Sequence, residues 1–346
     1  MKKYNIAIVG ASGAVGHELL KVLAERDFPV GDLKLLATER SAGKQIKFKG
    51  KDYTVEATTP DAFSGCDIAL FAGGSASKTY AKDAIERGAV VIDNSSSFRY
   101  DPEVPLVVPE VNPEDVEWHK GIIANPNCST IQMVVALKPL HDAAKIKRIV
   151  VSTYQAVSGA GAEGITELQE QTAALSQIDP EIAARAGQDS ANNVFAYQIA
   201  YNVIPHIDVF QENDYTKEEM KMTWETQKMF HEPDIKVSAT TVRVPVYRSH
   251  SEAINIELEK PLSADEAREI LKKAPGVIVV DNPAEKQYPM PIIASDTDEV
   301  YVGRIRKDIS IDNGLCLWVV ADQIRKGAAT NAIQIAELLV EKGLLK

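Results

Sequence analysis

The sequence predicts an α/β protein in which a doubly wound parallel sheet is combined with a second domain of the α+β type. Two observations support this fold class. Apolar strands alternate with helices in the first part of the chain, which is the pattern of a parallel sheet. Farther along, two strands flank a polar turn at 248–251. The 346 residues are enough for two domains, and we expect residues 1–127 with 323–346 to form one and residues 128–322 the other.

The composition is that of an ordinary globular protein, with 45% hydrophobic and 25% charged residues. The formal net charge of −11 argues against a nucleic-acid-binding surface. No apolar run approaches the ~18 residues that a membrane span requires, and we expect no signal peptide because the N-terminus leads directly into an apolar strand. The cysteines are odd in number and far apart, and no Cys-x-x-Cys or His-rich cluster suggests a metal. We therefore expect a cytoplasmic protein with reduced thiols.

The first predicted strand, 4–9, leads into a glycine-rich turn and then a helix. Gly10, Gly13 and Gly16 are spaced as G-x-x-G-x-x-G, a variant of the dinucleotide fingerprint. Glycines in this place let the backbone approach a pyrophosphate whose charge rests on the helix N-terminus. The motif therefore favours a Rossmann-type domain that binds a dinucleotide, although a turn packed for structural reasons could have the same glycines.

The second predicted strand, 33–37, ends in the loop 38–44. An acidic residue here favours the free ribose of NAD, whereas an arginine favours the 2′-phosphate of NADP. Glu39 and Arg40 are both present, and Ser41 follows them. Arg40 with Ser41 favours NADP. The alternatives are Glu39 as the ribose ligand or a solvated loop.

Two further strands, 68–71 and 89–92, are joined by a predicted helix at 77–87. Ligands of doubly wound sheets bind at the carboxyl ends of the strands. Gly73 and Asn94 lie at these ends. We therefore expect Gly73 near the cofactor, and the alternative is that both are turn residues.

Cys128 follows an apolar run and an Asn-Pro turn, and it precedes an apolar stretch that we predict to be a buried helix through about Leu140. Ser129 or Thr130 can cap this helix. Free N–H groups and the helix dipole favour a thiolate at such a position, and a thiolate is a nucleophile. The alternative is a small core residue, which is the commonest role of a lone cysteine.

The second domain opens with a predicted strand at 148–154, which is rich in β-branched residues and runs into a glycine loop. Gln155 and the pair Ser158-Gly159 lie where the strand meets that loop. Residues 177–193 show no clear period, and we expect them to form an exposed excursion. The remaining predicted elements are a helix at 261–273, strands at 299–306 and 315–321, and a last helix at 327–342 that returns to the first domain.

His250 lies in the polar turn between two predicted strands, 237–247 and 253–258. Arg243 stands seven residues earlier on the incoming strand, near enough in the chain to line one pocket with it. A nucleophilic cysteine needs a partner for protons, and His250 can serve as that partner. A lone histidine at such a turn is more often structural, so that alternative stays open.

Taken together, these pieces resemble the aspartate-semialdehyde dehydrogenase family over nearly the full length of the chain. The motifs occur in the order and spacing of that family, which makes the resemblance specific. They are Gly10–Gly16 (GASGAVG), Asp93–Arg99 (DNSSSFR), Asn125–Thr130 (NPNCST), Gln155–Gly159 (QAVSG) and Arg243–His250 (RVPVYRSH), with a weaker match at Lys217–Lys221 (KEEMK).

The resemblance implies reduction of L-aspartyl 4-phosphate to L-aspartate 4-semialdehyde with NADPH and release of phosphate, in the synthesis of lysine, threonine and methionine. It also implies that the second domain carries catalysis and dimerisation, and that the protein is a homodimer or homotetramer. In this reading Cys128 attacks the acyl carbon and becomes a thioester, His250 is the general acid/base, and Gln155 orients the acyl intermediate.

The resemblance further implies ligands for the substrate and the cofactor. Arg243 binds the substrate carboxylate and Glu218 the amino group, although the adjacent Glu219 leaves the second assignment open. Three side chains hold the phosphate, namely Arg99, Asn127 and Lys221. The cofactor is contacted by Ser12, Gly13, Ala14, Val15, Arg40, Ser41, Ser158, Gly159 and Gln323.

Two rival functions share some of these features. N-acetyl-glutamyl-phosphate reductase has the same fold and thioester chemistry, but an acetylated nitrogen carries no charge for Glu218 to bind. The other rival is a cofactor-binding protein without catalysis, and the joint presence of Cys128, Gln155, Arg243 and His250 argues against it. An assay of phosphate-dependent NADPH formation from the semialdehyde separates all three.

Overall fold

The structure is a computed structural model that describes residues 2–183 and 194–345. The chain divides into two compact units. Unit 1 comprises Met1–Ile131, Lys228–His231 and Ile324–Lys346, and unit 2 comprises Gln132–Gln227 and Glu232–Gln323. Residues 184–193, which belong to the excursion expected at 177–193, lie outside the described residues. No helix in the described ranges is long and apolar enough to cross a membrane.

Unit 1 is built on a seven-stranded sheet of order β3-β4-β2-β1-β5-β6-β7. All neighbouring strands are parallel except β3 and β4, which form an antiparallel edge. Every residue of β5 and β6 is buried, as expected for strands covered on both faces. The strands are β1 (Tyr4–Val9), β2 (Val30–Ala37), β3 (Gln45–Phe48), β4 (Lys51–Ala57), β5 (Ile68–Phe71), β6 (Val90–Asp93) and β7 (Ile122–Ala124).

The predicted doubly wound parallel sheet is thus confirmed. Its helices are α1 (Ala14–Glu25), which follows the glycine turn as predicted, and α2 (Ala76–Glu86), which lies within one residue of its predicted bounds. Leu19 and Leu23 of α1 are fully buried against the apolar side chains of the sheet.

The third helix, α3 (Cys128–Ala144), begins at the cysteine and is one turn longer than predicted. The prediction that Ser129 or Thr130 caps it is wrong. Both residues are buried inside the first turn, and the first intrahelical bond is accepted by the carbonyl of Asn127, at 2.9 Å from the nitrogen of Ile131. Asn127 therefore holds the capping position, because the residue whose carbonyl accepts the first helical bond is the cap.

Unit 2 contains a six-stranded mixed sheet of order β11-β12-β13-β10-β8-β9. β8 lies between β10, which is antiparallel to it, and β9, which is parallel. In this register Gln155 pairs with Arg243 at the ends of β8 and β9. The strands are β8 (Ile146–Gln155), β9 (Lys236–Arg243), β10 (His250–Leu258), β11 (Val277–Val279), β12 (Val300–Lys307) and β13 (Gly314–Ala321).

Within the described residues, five helices accompany this sheet along the chain, and a last one follows it. The predicted helix at 261–273 is present in a shorter form, because a capping box at Ser263 and Glu266 defines its start. The last helix belongs to unit 1, as expected, and is preceded by a π-helical turn at Arg325–Ala329. The helices are α4 (Ala162–Leu175), α5 (Pro180–Ala183), α6 (Lys217–Phe230), α7 (Ala264–Leu271), α8 (Pro291–Ala294) and α9 (Thr330–Glu341).

Candidate active site

Cys128 is the first residue of α3 and is half-buried, whereas Cys66 and Cys316 are buried. Its sulfur lies 3.9 Å from Oδ1 of Asn127. The N–H groups of a first helical turn have no partner within their own helix, and they and the dipole favour negative charge at this point. Cys128 is therefore the cysteine whose position suits a nucleophile.

Arg99 and Asn127 follow neighbouring strands of unit 1. Asp93 at the end of β6 pairs with Ala124 at the end of β7, so the loops that leave the two strands start at the same edge of the sheet. Arg99 is only 6% exposed, and its Nη2 donates to the carbonyl oxygen of Asn94 at 2.8 Å. Both the arginine and the cysteine loop thus belong to the edge at which ligands of such sheets bind.

The backbone geometry of the turn after β1 requires glycine at two positions. Gly10 has φ +85°, which favours glycine. A Cβ on Gly16 would lie 2.3 Å from the carbonyl oxygen of Gly10, so α1 can approach the turn only with glycine there. Ser12 and Gly13 form the turn, and Ala14 and Val15 begin α1.

A cavity of about 530 Å³ lies beside this turn within unit 1. Its size and its position at the carboxyl ends of β1, β2 and β5 fit part of a dinucleotide. Gly73 and Gly74 have φ +137° and +77° and leave open space where a side chain would stand. The lining includes Gly10, Thr38, Glu39, Gly73, Gly74 and Tyr80.

The residues expected to select the ribose form one short 3₁₀ turn, Glu39–Ser41. Glu39 lines the cavity, Arg40 is exposed and Ser41 is buried. Glu39 and Arg40 are therefore still the two candidates for contact with a ribose.

In unit 2, the buried Gln155 and Glu218 and the half-buried Lys221 form a polar chain. Nε2 of Gln155 donates to Oε1 of Glu218 at 3.1 Å, and Nζ of Lys221 lies 3.0 Å from Oε2 of the same carboxylate. Lys221 also donates to Asp208 at 2.8 Å. Burial acts to lower the pKa of Lys221, but the charges of Glu218 and Asp208 outweigh it and raise that pKa. The lysine is accordingly a charged group held between two carboxylates.

The geometry distinguishes Glu218 from Glu219. Glu219 uses both carboxylate oxygens for backbone N–H groups, from Thr216 at 2.7 Å and Thr241 at 3.0 Å. Those bonds tie α6 to β9, so Glu219 has a structural role. Glu218 instead contacts Gln155 and Lys221, two other residues expected to serve the reaction.

His250 is the first residue of β10 and is fully buried. Its Nδ1 accepts the backbone N–H of Ala156 at 3.0 Å. The carbonyl of the same alanine accepts Nη1 of Arg243 at 2.7 Å. A Cβ on Gly159 would lie 2.9 Å from that Nη1 and 3.5 Å from Nε2 of His250, so the glycine borders both side chains. Burial and the charge of Arg243 lower the pKa of His250 from 6.5 to about 3, against the opposing effect of Glu218.

Gln323 and Ser158, expected to contact the cofactor, also bind each other in unit 2. Nε2 of Gln323 donates to Oγ of Ser158, and Oε1 accepts the backbone N–H of Ser249 at 2.7 Å. Ser249 is buried and has φ +73°, a strained conformation for serine. The amide of Gln323 thus holds the turn that positions His250.

Sequence reasoning missed Asp208, Ala156 and Ser249. Asp208 and Ser249 act by pairing with residues that were predicted, and Ala156 acts through its backbone, so their residue types gave no signal.

Arg243 also borders a cavity of about 470 Å³ whose lining includes Phe195, Ile204, His206 and Asp208. The guanidinium of Arg243 and the carboxylate of Glu218 can together recognise the carboxylate and the ammonium group of an amino acid.

The chain matches two domain families. Residues 5–119 match "Semialdehyde dehydrogenase, NAD binding domain", and residues 137–326 match "Semialdehyde dehydrogenase, dimerisation domain". An aspartate-semialdehyde dehydrogenase from Aquifex aeolicus is 62% identical over 346 residues, which cover 99% of each chain.

Solved structures give the same result. The aspartate semialdehyde dehydrogenase II of Vibrio cholerae, complexed with ASA, superimposes with a TM-score of 0.93 at 52% identity and 99% coverage of both chains. An aspartate semialdehyde dehydrogenase with NADP from Candida albicans has a TM-score of 0.75 at 26% identity, with 99% of this chain and 100% of that chain covered. The chain belongs to the aspartate-semialdehyde dehydrogenase family.

Proposed function

We propose that this protein reduces L-aspartyl 4-phosphate to L-aspartate 4-semialdehyde and releases phosphate, as a step in the synthesis of lysine, threonine and methionine. The observation that carries the proposal is the polar cluster of unit 2. Arg243, Glu218 and Lys221 are largely buried charges, held by hydrogen bonds at the ends of β8 and β9 and on α6. Membership of the family supports the same substrate.

The substrate carries one group for each of these charges. We assign the α-carboxylate to Arg243, because its planar fork can form two parallel hydrogen bonds. We assign the α-ammonium to Glu218. The acyl phosphate then falls to Lys221, Arg99 and Asn127. An N-acetylated substrate would leave the Glu218 carboxylate without a charged partner, which favours the aspartyl substrate over the acetylated one.

Cys128 is proposed as the nucleophile, Gln155 as the residue that orients the acyl group, and His250 as the acid/base residue. An acyl phosphate is a poor direct hydride acceptor, so a thioester on Cys128 divides the reaction into two easier steps. Bound nicotinamide cofactor supplies the hydride. The N–H groups at the start of α3 are suited to stabilise negative charge on the acyl oxygen.

The experiment compares Cys128→Ser with the unaltered protein, using phosphate-dependent NADPH formation from the semialdehyde. The unaltered protein should turn over, and Cys128→Ser should lose nearly all activity while still binding cofactor. The matched control is Cys316→Ser, because Cys316 is buried in β13. A Cys128→Ser variant with near-normal turnover would remove the thioester mechanism.

We further propose that the nicotinamide cofactor is NADP. The glycine turn at Gly10, Gly73 and the loop Ser158-Gly159 are proposed to hold the cofactor, with Arg40 and Ser41 at its 2′-phosphate. Arg40→Ala should weaken NADP far more than NAD, since a charge-assisted hydrogen bond is worth roughly 1.5–3 kcal/mol, or about 10-fold or more in preference. Equal use of NAD and NADP by the unaltered protein would contradict this proposal and would indicate that Glu39 contacts the ribose instead.

We also propose a homodimer or homotetramer in the cytoplasm. The match to a dimerisation domain over residues 137–326 supports self-association. All three cysteines are free thiols, and a nucleophilic thiol needs reducing conditions. Light scattering across a dilution series measures the assembly, and a monomer at every concentration would contradict it.

A further inference from the structure

The backbone N–H of Ala156 determines where His250 can carry a proton. Both residues are fully buried, and the N–H points at Nδ1 across 3.0 Å. A backbone N–H can only donate, so Nδ1 must present a lone pair to it. Since a neutral imidazole carries one proton, that proton is on Nε2.

We infer that His250 is held as the Nε2–H tautomer throughout the reaction, so that it serves as a hydrogen-bond donor to the oxygen of the reacting acyl group and not as the base that takes the proton of Cys128. This inference rests on the proposed function and replaces the acid/base role given to His250 there with that of a hydrogen-bond donor, because a histidine held as one tautomer neither takes nor gives a proton.

The Ala156 N–H cannot easily turn away, because the peptide group that contains it is held at both ends. The carbonyl of that peptide belongs to Gln155 and accepts the N–H of Val244 at 3.0 Å. The next N–H along the chain, that of Val157, donates to Val246 at 2.8 Å. Rotation of the peptide would break the first of these bonds inside a buried region, where an unmade hydrogen bond costs about 1–3 kcal/mol.

The charges that face His250 also oppose an imidazolium. Arg243 on β9 is bound to the same alanine, and its guanidinium borders Gly159 together with the imidazole. Glu218 on α6 acts in the opposite direction but does not prevail, and the pKa of His250 falls to about 3. Glu252, on the same strand, is fully buried, and burial raises its pKa well above 4.5.

The proposed reaction balances without a base at His250. In the first half, the thiolate of Cys128 forms a C–S bond with the acyl carbon. The C–O bond to phosphate then breaks, its electron pair leaves with the phosphate, and the phosphate takes up a proton from water. In the second half, the acyl carbon gains a hydride from the reduced cofactor, the C–S bond breaks, and its electron pair returns to sulfur. Neither half requires a proton on sulfur, but both pass through a negatively charged oxygen, which an Nε2–H donor stabilises.

The first test is nitrogen NMR on protein labelled with ¹⁵N-histidine, with His250→Gln used to assign the signal. His119 and His141 are internal references for the tautomer, because their Nδ1 atoms also accept backbone N–H groups, at 3.0 and 3.3 Å. His250 should show an unprotonated Nδ1 and a protonated Nε2 between about pH 8 and 5. A proton on Nδ1, or titration near 6.5, would overturn the inference.

The second test compares His250→Gln with His250→Asn. The longer amide can offer an N–H near the position of Nε2, whereas the shorter one cannot reach it. His250→Asn should lose about 10²- to 10³-fold in kcat, as expected for one lost oxyanion donor, and His250→Gln clearly less. Equal losses in the two variants would contradict the donor role.

The third measurement does not depend on turnover. The pH midpoint for alkylation of Cys128 by iodoacetamide should be the same in the unaltered protein and in both variants, because His250 does not take the thiol proton. A midpoint that rises by about one pH unit or more in His250→Gln would show that His250 is the base. Activity of the unaltered protein with the semialdehyde is measured separately. If the unaltered protein has no such activity, that result counts against the proposed reaction and not against the tautomer.

Discussion

At the scale of single residues, the charged groups of the polar cluster in unit 2 already form hydrogen bonds with other protein atoms. Lys221 lies between Glu218 and Asp208, and Arg243 donates to the carbonyl of Ala156. Burial of an isolated charge is expensive, so these bonds keep the charges in place. Under the proposed function, a ligand that binds here offers an anionic group to Arg243 and a cationic group to Glu218.

Arg243→Lys tests the substrate assignment at this scale. Lysine keeps the charge but loses the second parallel hydrogen bond to a carboxylate, so kcat/KM should fall roughly 10- to 100-fold, which corresponds to about 1.5–3 kcal/mol. Steady-state kinetics and the melting temperature are both measured for Arg243→Lys and for the unaltered protein. A purely structural arginine would show the reverse pattern, a lower melting temperature with kcat/KM nearly intact.

Sequence reasoning at this scale was limited to residues whose side chains are chemically distinctive. Cys128, Arg243 and His250 could be chosen because thiol, guanidinium and imidazole groups have few alternatives in such chemistry. Ala156 could not be chosen, because its contribution is one N–H and one carbonyl group, which every residue except proline has. Asp208 looked like any loop carboxylate until the fold brought it to Lys221.

At the scale of elements, the strands with continuous apolar runs were predictable and the edge of the first sheet was not. β5 and β6 are short, fully buried and flanked by turn residues. β3 and β4 form an antiparallel hairpin at the edge of that sheet, and most of their residues are partly or fully exposed. Their pattern resembles a polar loop, because an edge strand is covered less completely than a central one.

The packing of α1 on the glycine turn gives a prediction at this scale. Gly16→Ala would place a Cβ 2.3 Å from the backbone oxygen of Gly10 and 2.7 Å from Cα of Ala11, so the helix must move away from the turn. We expect a lower melting temperature and weaker cofactor binding. Gly13→Ala is the matched control, because its Cβ would lie 3.4 Å from the same oxygen at an ordinary φ of −90°. Equal stability of the two variants in thermal unfolding would contradict this account of the packing.

At the scale of the whole molecule, stability depends on pH through groups whose pKa changes on folding. His250 has a lowered pKa in the folded state, so the unfolded chain binds more protons below 6.5 and stability falls as the pH drops through that range. Glu252 has the opposite effect on the pH dependence of stability. Burial raises its pKa, so its contribution is fully present below 4.5 and is lost as the pH rises above that value.

Glu252→Gln tests this linkage, since glutamine has the shape of the protonated acid and does not ionise. The variant should gain melting temperature relative to the unaltered protein at about pH 7 to 8, and the gain should disappear near pH 4. Glu219→Gln is the control. Each carboxylate oxygen of Glu219 accepts one backbone N–H group, and the amide nitrogen of glutamine cannot accept in place of one of those oxygens. It should lose stability at neutral pH. A Glu252→Gln protein that melts lower than the unaltered one at pH 8 would show that the carboxylate is ionised in the fold.

The bond from Ala156 to His250 has a consequence for how this position tolerates substitution. Any residue small enough for the buried site supplies the same N–H, so glycine or serine at 156 should leave the histidine as it is, and a survey of side-chain replacements would rate the position as unimportant. Proline is the exception, although φ of −62° at Ala156 suits it, because the ring replaces the hydrogen that His250 accepts. Replacing the amide between Gln155 and Ala156 with an ester removes this hydrogen without adding atoms. The ester therefore reveals the role of the N–H group, which replacement of Ala156 by glycine or serine cannot reveal.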